Sequence, residues 1–131
     1  MTERGMIRVL VVDDEEIVAS TVAMILRLNG FASEFHTNPN DALKSARIEA
    51  PNLLISDVAM PQMTGIELAI RVKEICPLCQ VLLFSGQAAT AELLQTAKMN
   101  GHNFQLLHKP IHPTDLLAAV RETAGSSVMS N

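Results

Sequence analysis

Residues 7–14 read Ile-Arg-Val-Leu-Val-Val-Asp-Asp, a nearly continuous apolar run that stops at two adjacent carboxylates. Such a run is typical of a parallel strand that is buried on both faces. A helix is predicted from about Glu15 to Asn29, and Gly30 stands where a helix-ending glycine belongs. This opening unit therefore predicts a strand followed by a helix, with Asp13 and Asp14 at the turn between them.

The same alternation of strand and helix recurs four more times along the chain. Further strands are predicted at Phe31–His36, Leu53–Ser56, Gln80–Phe84 and Asn103–Leu107. Helices are predicted after them at residues 39–49, 65–76, 88–99 and from 113 onward, with prolines or polar capping residues at their boundaries. This order predicts an α/β fold, in which a doubly wound, flavodoxin-like parallel sheet of five strands, order 2-1-3-4-5, carries helices on both faces.

Length and composition predict one compact domain with an aliphatic core. The chain has 131 residues, which fits a single domain, and 48% of them are hydrophobic, although Trp and Tyr are absent. We expect residues 1–124 to form this domain and residues 125–131 to be a flexible tail or the start of a linker.

The charge and the apolar runs bear on location and partners. The formal net charge of −4 is unfavourable for direct binding of nucleic acid, which requires a basic face. No apolar run approaches the ~20 residues that cross a bilayer. The N-terminal residues also lack a signal-type apolar block. We therefore expect a cytoplasmic protein that contacts neither membrane nor nucleic acid.

Two cysteines occur as Cys76-Pro-Leu-Cys79. A redox role is one interpretation of this spacing, but redox pairs usually open a helix after a strand, whereas this pair follows a predicted helix. One such pair also supplies only half of the ligands of a structural zinc site. We therefore favour ordinary loop cysteines.

Five polar residues follow the ends of four predicted strands. Asp13 and Asp14 follow the first strand, Asp57 the third, Ser85 the fourth and Lys109 the fifth. In an open parallel sheet, ligands bind beyond these carboxyl ends where the strand order reverses, here between the first and third strands. Taken singly, each residue could be a helix cap, a solvated lysine or a turn residue. All five together predict a functional site.

The chemistry of these residues indicates metal-assisted phosphoryl transfer. Three neighbouring carboxylates repel one another, and Mg²⁺ is a hard cation that relieves such repulsion with few protein ligands. Asp57 is placed to act as a nucleophile, since carboxylates form aspartyl phosphates. Lys109 is suited to phosphoryl oxygens, and Ser85 supplies a hydroxyl donor.

The ordered motifs resemble the receiver domains of two-component response regulators, a CheY-like family. The resemblance covers roughly Ile7 to Thr123. It is carried by Asp13-Asp14 after Val-Leu-Val-Val, by Asp57-Val58-Ala59-Met60-Pro61 with Gly65, by Ser85-Gly86 and by Lys109-Pro110.

The resemblance implies a role for each residue of the metal site. Asp57 would be the phosphoacceptor, charged by a sensor histidine kinase, a phosphotransfer protein or a small phosphodonor. The Mg²⁺ ligands would be Asp14, Asp57 and the backbone carbonyl of Ala59, and Asp13 would act through water. The domain would be a signalling switch that catalyses only its own aspartyl phosphorylation and dephosphorylation.

The resemblance also implies how the signal leaves the site. Ser85 would move toward the phosphoryl group, Lys109 would pair with it, and the Lys109–Pro110 bond would be cis. The usual output face lies around the fourth helix, where it would meet a downstream effector domain or protein or a second copy of the chain. Residues of this region that would serve either the core or a partner are Leu93, Leu94 and Met99.

The chain departs from the family pattern at positions that tune the response. Leu106 stands where an aromatic residue often reports activation, and we expect Phe104 to point to the opposite face or to lie too early to replace it. Ala59 cannot hydrogen-bond an attacking water, whereas Gln87 is able to. Leu106 and Ala59 leave open one alternative to the switch, a phosphorylation-independent interaction (pseudo-receiver) module. The acidic pocket leaves open a second and least favoured one, a small metal-dependent phosphatase or hydrolase.

Overall fold

A computed structural model describes residues 5–86 and 90–128, without side-chain detail at residues 90, 91, 93 and 125–128. Strands and helices alternate throughout these residues. The strands are β1 (Arg8–Val12), β2 (Ala32–His36), β3 (Leu53–Asp57), β4 (Gln80–Ser85) and β5 (Gln105–His108). The helices are α1 (Glu16–Leu28), α2 (Pro39–Ile48), α3 (Gly65–Ile75), α4 (Thr90–Met99) and α5 (Pro113–Val128).

The five strands form one parallel sheet in the order β2-β1-β3-β4-β5, which confirms the predicted topology. Alternate residues of β1 enter two separate cores because successive side chains of a strand point to opposite faces. Val9 and Val11 pack with α1 and α5, whereas Leu10 and Val12 pack with α2, α3 and α4. The three central strands are therefore buried on both sides, as their apolar runs predicted.

Local capping fixes where α2 and α3 begin. The Asn38 side chain accepts a hydrogen bond from the Asn40 amide at 2.8 Å, and Pro39 opens α2. The Thr64 hydroxyl accepts one from the Glu67 amide at 3.1 Å, which confirms the predicted capping pattern at α3. The two caps lie in the loops that follow β2 and β3, the strands on either side of β1, so they help to shape that edge of the sheet.

The edge strand β2 is held by a polar network that the sequence did not predict. Arg8, 7% exposed at the start of β1, pairs with the Glu34 carboxylate and donates to the Ser45 hydroxyl of α2 at 2.9 Å. Glu34 also accepts from Ser45 at 2.7 Å and contacts His36 Nε2 at 2.7 Å. Burial alone raises the pKa of Glu34, but hydrogen bonds to these three partners lower the pKa to about 2.

The last described helix bears on the predicted boundary between domain and tail. The helix α5 continues to Val128, so the predicted boundary after residue 124 falls inside a helix. Gly125 is a poor helix former, but a helix nucleated by a packed segment extends at little further cost. The division of the chain into a domain and a tail stays a prediction. In the described residues, no helix has both the length and the apolar character to cross a bilayer.

Candidate functional site

The carboxyl ends of β1, β3, β4 and β5 meet at one rim of the sheet. The register pairs Val12 with Ser56, and Asp57 with Phe84 on the next strand. These parallel pairings bring the residues that follow each strand to the same edge. The rim is thus the place where the sequence predicted a site.

Three carboxylates converge at this rim. Asp13, Asp14 and Asp57 each offer an oxygen, and these oxygens lie within 4.8 Å of one another. Asp13 is fully buried and Asp57 is 6% exposed, whereas Asp14 faces solvent. The cluster therefore has two buried members and one member on its open side.

Asp13 makes two contacts at once. Its Oδ1 accepts a hydrogen bond from the Glu15 amide at 2.9 Å, just before α1 begins. Its Oδ2 lies 3.2 Å from the Lys109 ammonium. Asp13 therefore braces the turn before α1 and also lies in the carboxylate cluster, while Glu15 is the N-cap residue of the helix.

Among the described residues, Lys109 is the only cation that pairs with these carboxylates. Its Nζ lies 3.4 Å from Asp57 Oδ2 and 5.1 Å from the centre of the Phe84 ring, which is fully buried. The Lys109 amide donates to the Ser85 carbonyl at 3.0 Å, and the Lys109–Pro110 bond is cis, as expected. Phe84 was not predicted as part of the site; its only signal was its place next to Ser85.

The loop after Asp57 approaches the backbone of that residue closely. The Val58 amide donates to the Phe84 carbonyl at 3.1 Å, and the Gly65 amide donates to the Val58 carbonyl at 2.8 Å. A Cβ atom on Gly65 would overlap the carbonyl oxygen of Asp57. Only glycine allows this approach, so the start of α3 packs directly against the backbone of Asp57.

Burial and charge act in opposite directions on the two central groups. Burial raises the pKa of Asp57, and Asp13 and Asp14 raise it further, while Lys109 opposes the rise; the net shift is upward. Burial alone lowers the pKa of Lys109, but the attraction of Asp13 and Asp57 outweighs burial and raises it. The ammonium is therefore held charged, whereas the carboxylates remain under mutual repulsion.

The donor set fits a small divalent cation. One ammonium cannot balance three carboxylates, and an added cation would relieve the repulsion that raises the pKa of Asp57. All the side-chain donors are oxygens, which hard cations such as Mg²⁺ prefer. The exposed Asp14 leaves the cluster open to solvent, so water is available as a further ligand. The part-buried Ala59 lies in the loop that follows the acidic strand end, two residues beyond Asp57.

Comparison with known proteins shows the family of the chain. A family model described as the response regulator receiver domain matches residues 9–121 of the chain. The chain belongs to this family. The match begins in β1 and ends in α5, so the receiver domain contains all five strands and the whole acidic rim.

Curated relatives of this receiver domain differ in length. A 14.6 kDa protein encoded in the sodA1 3′ region of Leptolyngbya boryana is 36% identical over 116 residues, which are 87% of each chain. The transcriptional regulatory protein CreB of Escherichia coli is 28% identical over 86% of this chain and 48% of its own length. The sensor kinase/phosphatase LuxN of Vibrio harveyi is 32% identical over 94% of this chain and 14% of its own length. The receiver domain thus spans about half or less of several relatives that it matches.

Solved structures share the architecture. The chemotaxis protein CheY4 of Vibrio cholerae is 29% identical, with a TM-score of 0.79 over 91% of this chain and 99% of its own. A receiver domain protein of Methanospirillum hungatei has a TM-score of 0.87 over 97% of this chain and all of its own, at 24% identity. The second likeness concerns the fold alone.

The output face is only partly as expected. Phe104 and Leu106 both pack against the core of α2, α3 and α4, so Phe104 does not point to the opposite face; it precedes β5 instead, and its ring stacks on His102. Leu94 packs on the same core, whereas Met99 is exposed. The side chain of residue 93 and all of residue 87 lie outside the described part of the chain.

The remaining sequence prediction concerns the two cysteines. Cys76 and Cys79 are free and buried on either side of the α3–β4 turn, as loop cysteines would be. Burial raises the pKa of both thiols, that of Cys79 to about 12, which disfavours the reactive thiolate.

Proposed function

We propose that this receiver domain is a Mg²⁺-dependent phosphoryl-accepting switch of a two-component system, with Asp57 as the acceptor. The observation that carries the proposal is the contact of Lys109 with both Asp13 and Asp57 inside a cluster of three carboxylates. A cation beside a partly buried carboxylate is what an incoming phosphoryl group requires, because the transfer depends on placement and charge neutralisation.

Asp57 attacks the phosphorus of the donor, and the bond between phosphorus and the donor atom breaks as the acyl phosphate forms. Lys109 keeps Asp57 oriented before the transfer and pairs with a phosphoryl oxygen afterwards. Asp14, Asp57 and the carbonyl of Ala59 would hold Mg²⁺, and Asp13 would reach it through water. When bound, Mg²⁺ supplies charge neutralisation at the phosphoryl oxygens.

We propose that phosphorylation changes the conformation of Ser85 and of the segment after it. Ser85 is buried at the end of β4, next to Asp57 on β3 and bonded through its carbonyl to Lys109. After phosphorylation its hydroxyl would exchange its present interaction for a phosphoryl oxygen and draw the β4–α4 connection inward. Such a shift changes the surface of α4 and β5, which a partner of unequal affinity for the two states reads.

The relatives support the kinds of partner. LuxN is named a sensor kinase/phosphatase and CreB a transcriptional regulatory protein. We propose a sensor histidine kinase or phosphotransfer protein as donor, an effector domain or protein as recipient, and a cytoplasmic location. Neither nucleic acid nor membrane would contact the domain directly.

The acceptor assignment is tested by exposing the protein to acetyl phosphate and Mg²⁺ and measuring intact mass. We expect the wild type to gain one phosphoryl group and Asp57→Asn to gain none. The matched control is Asp41→Asn, which removes an exposed carboxylate from α2 and should be modified like the wild type. Equal modification of Asp57→Asn would refute the assignment.

A phosphorylation-independent interaction module is the competing function, and Leu106 is the observation that favours it. Leu106 packs half-buried against the core, where an aromatic side chain would report activation in relatives. Partner affinity measured with and without beryllofluoride, a phosphoryl mimic, separates the two functions. A difference supports the switch, and equal affinities support the interaction module.

A further inference from the structure

The outer face of α1 exposes large apolar side chains. Ile17 is 81% exposed, Met24 58% and Leu28 79%, and these are three of the six large hydrophobic residues exposed in the described chain. All three lie on one helix, so they form a stripe rather than scattered contacts. A contiguous apolar stripe on a folded domain marks an interaction surface.

The spacing of the stripe is that of a helix-pairing seam. Ile17, Thr21, Met24 and Leu28 are separated by four, three and four residues, which is the a/d repeat of a coiled coil. The seam lies opposite the buried face of the helix. That buried face consists of Ala19, Val22, Ala23 and Leu26. The helix is therefore apolar on the side that faces its own core and on the side that faces solvent.

The seam continues into a depression. An apolar groove of about 570 Å³ runs between α1 and the segment before α5, and Ile17 and Thr21 line its outer wall together with Val18, Ile25 and Ile111. Fully buried Phe84 and Leu116 lie at its base. Side chains from an opposing helix thus have space to enter beside the seam.

The charges flanking the seam point to a second copy of the same helix. Glu16 lies in the first turn and Arg27 in the last turn, and both fall on the same side of the seam. In an antiparallel pair, Glu16 of one copy lies beside Arg27 of the other, and the two helix dipoles oppose each other favourably. In a parallel pair, the charged flanks of the two copies would lie on opposite sides of the seam, so this attraction would be lost.

We propose that two copies of this chain associate through α1 in an antiparallel, two-fold symmetric pair. Ile17 of one copy then packs on Leu28 of the other, and Thr21 packs on Met24. Two-fold symmetry makes such a contact self-complementary and closed, so it gives dimers rather than chains. One helix from each copy buries little area, so the dimer is weak and concentration-dependent.

The dimer has a consequence for access to the acidic rim. Because α1 begins two residues after Asp14, a second copy lying along α1 flanks the open side of the cluster. A macromolecular partner of the rim would compete with the dimer, whereas a small molecule would not. The dimer does not depend on phosphorylation, so Asp57→Asn should dimerise like the wild type even if the proposed function is wrong.

Sedimentation equilibrium tests the seam. The wild type should show a monomer–dimer equilibrium at protein concentrations up to about 500 µM. Ile17→Lys and Leu28→Lys should each weaken the dimer at least about ten-fold. The control Ile48→Lys makes the same chemical change at a residue of α2 that is 86% exposed, and it should leave the dimer unchanged.

Charge reversal tests the orientation. Glu16→Arg and Arg27→Glu should each weaken the dimer, and the double reversal should restore it. Arg27 Nε also donates to the Ser33 carbonyl at 2.8 Å, so circular dichroism must confirm the fold of each variant. A wild type that stays monomeric, an Ile48→Lys loss equal to that of Ile17→Lys, or a double reversal weaker than both single variants would overturn the proposal.

Discussion

Lys109 Nζ lies 3.4 Å from Asp57 Oδ2, although the two residues follow different strands of the sheet. The same ammonium lies 3.2 Å from Asp13 Oδ2, so one cation serves two buried carboxylates. Both contacts are charge-assisted and partly shielded from water, which makes them stronger than surface ion pairs. The electrostatics of the rim therefore depend on this one side chain.

Lys109→Met should raise the pKa of Asp57 above its wild-type position, because the variant removes the attraction that opposes burial, Asp13 and Asp14. The measurement is an NMR titration of the Asp57 side-chain carboxyl in Mg²⁺-free buffer. Lys44→Met, which removes an exposed ammonium from α2, is the control and should leave the titration in place. An unchanged Asp57 titration in Lys109→Met would contradict the assigned ion pair.

Asp14→Asn should stabilise the metal-free protein by about 0.5–1 kcal/mol, because it removes one exposed carboxylate from a mutually repelling cluster. The same variant should lose the stabilisation that Mg²⁺ gives the wild type, which mass action sets at about 2.7 kcal/mol when the ion is at a hundred times its Kd. Urea unfolding with and without Mg²⁺ measures both effects. Asp41→Asn should keep the full Mg²⁺ effect of the wild type, and a full Mg²⁺ effect in Asp14→Asn would remove this residue from the ligand set.

Glu34→Gln should flatten the loss of stability at acidic pH. The folded pKa of Glu34, about 2, lies below its ordinary value of 4.5, so its contribution is present above about pH 4.5 and is lost as the pH falls toward 2. About a third of the side chain is exposed, so solvent screening reduces this contribution to about 1–2 kcal/mol. Urea unfolding across this pH range is the measurement. Glu122→Gln, at an exposed position of α5, should retain the wild-type dependence of stability on pH. If both variants show the same dependence, the network around Glu34 does not lower its pKa.

Gly65→Ala should destabilise the fold by about 2–4 kcal/mol, because the added methyl group collides with the Asp57 carbonyl and must move either α3 or the end of β3. Gly86→Ala is a matched control, since its added Cβ would meet the Lys109 Cβ at an ordinary 3.7 Å. Urea unfolding compares the two variants. Equal stability losses would show that the close approach at Gly65 is not a constraint.

The fold was predictable because its signals are local and repeated. The side chains from Val9 to Val12 alternate between two hydrophobic cores. Because the strand is buried on both faces, its sequence is an uninterrupted apolar stretch. The strand ends carried Asp57 and Lys109 to the same rim by topology alone, so two residues far apart in sequence were expected to meet there. Regular alternation of strand and helix thus converts sequence order into spatial order.

Two features of the fold were not predicted, and the physical reasons differ. Arg8 interrupts an apolar run and is nevertheless buried, because Glu34 and Ser45 reach it from neighbouring elements. Phe104 lies on the same face as Leu106, since residues two apart share a face even where one of them precedes the strand. The Arg8 network leaves no periodic trace in the sequence, whereas the shared face of Phe104 and Leu106 follows the two-residue period of a strand.

The Lys109 amide donates a hydrogen bond to the Ser85 carbonyl, so the backbone fixes the separation of these two residues at the ends of β4 and β5. A chimaera that exchanges β4 and β5 as a pair with a related protein would carry their separation along intact. If only one of the two strands were exchanged, the distance between Ser85 and Lys109 would depend on packing between strands from different proteins. Under the proposed function, changes meant to alter the lifetime of an acyl phosphate on Asp57 should therefore be made in loop side chains such as Ala59, with β4 and β5 kept together.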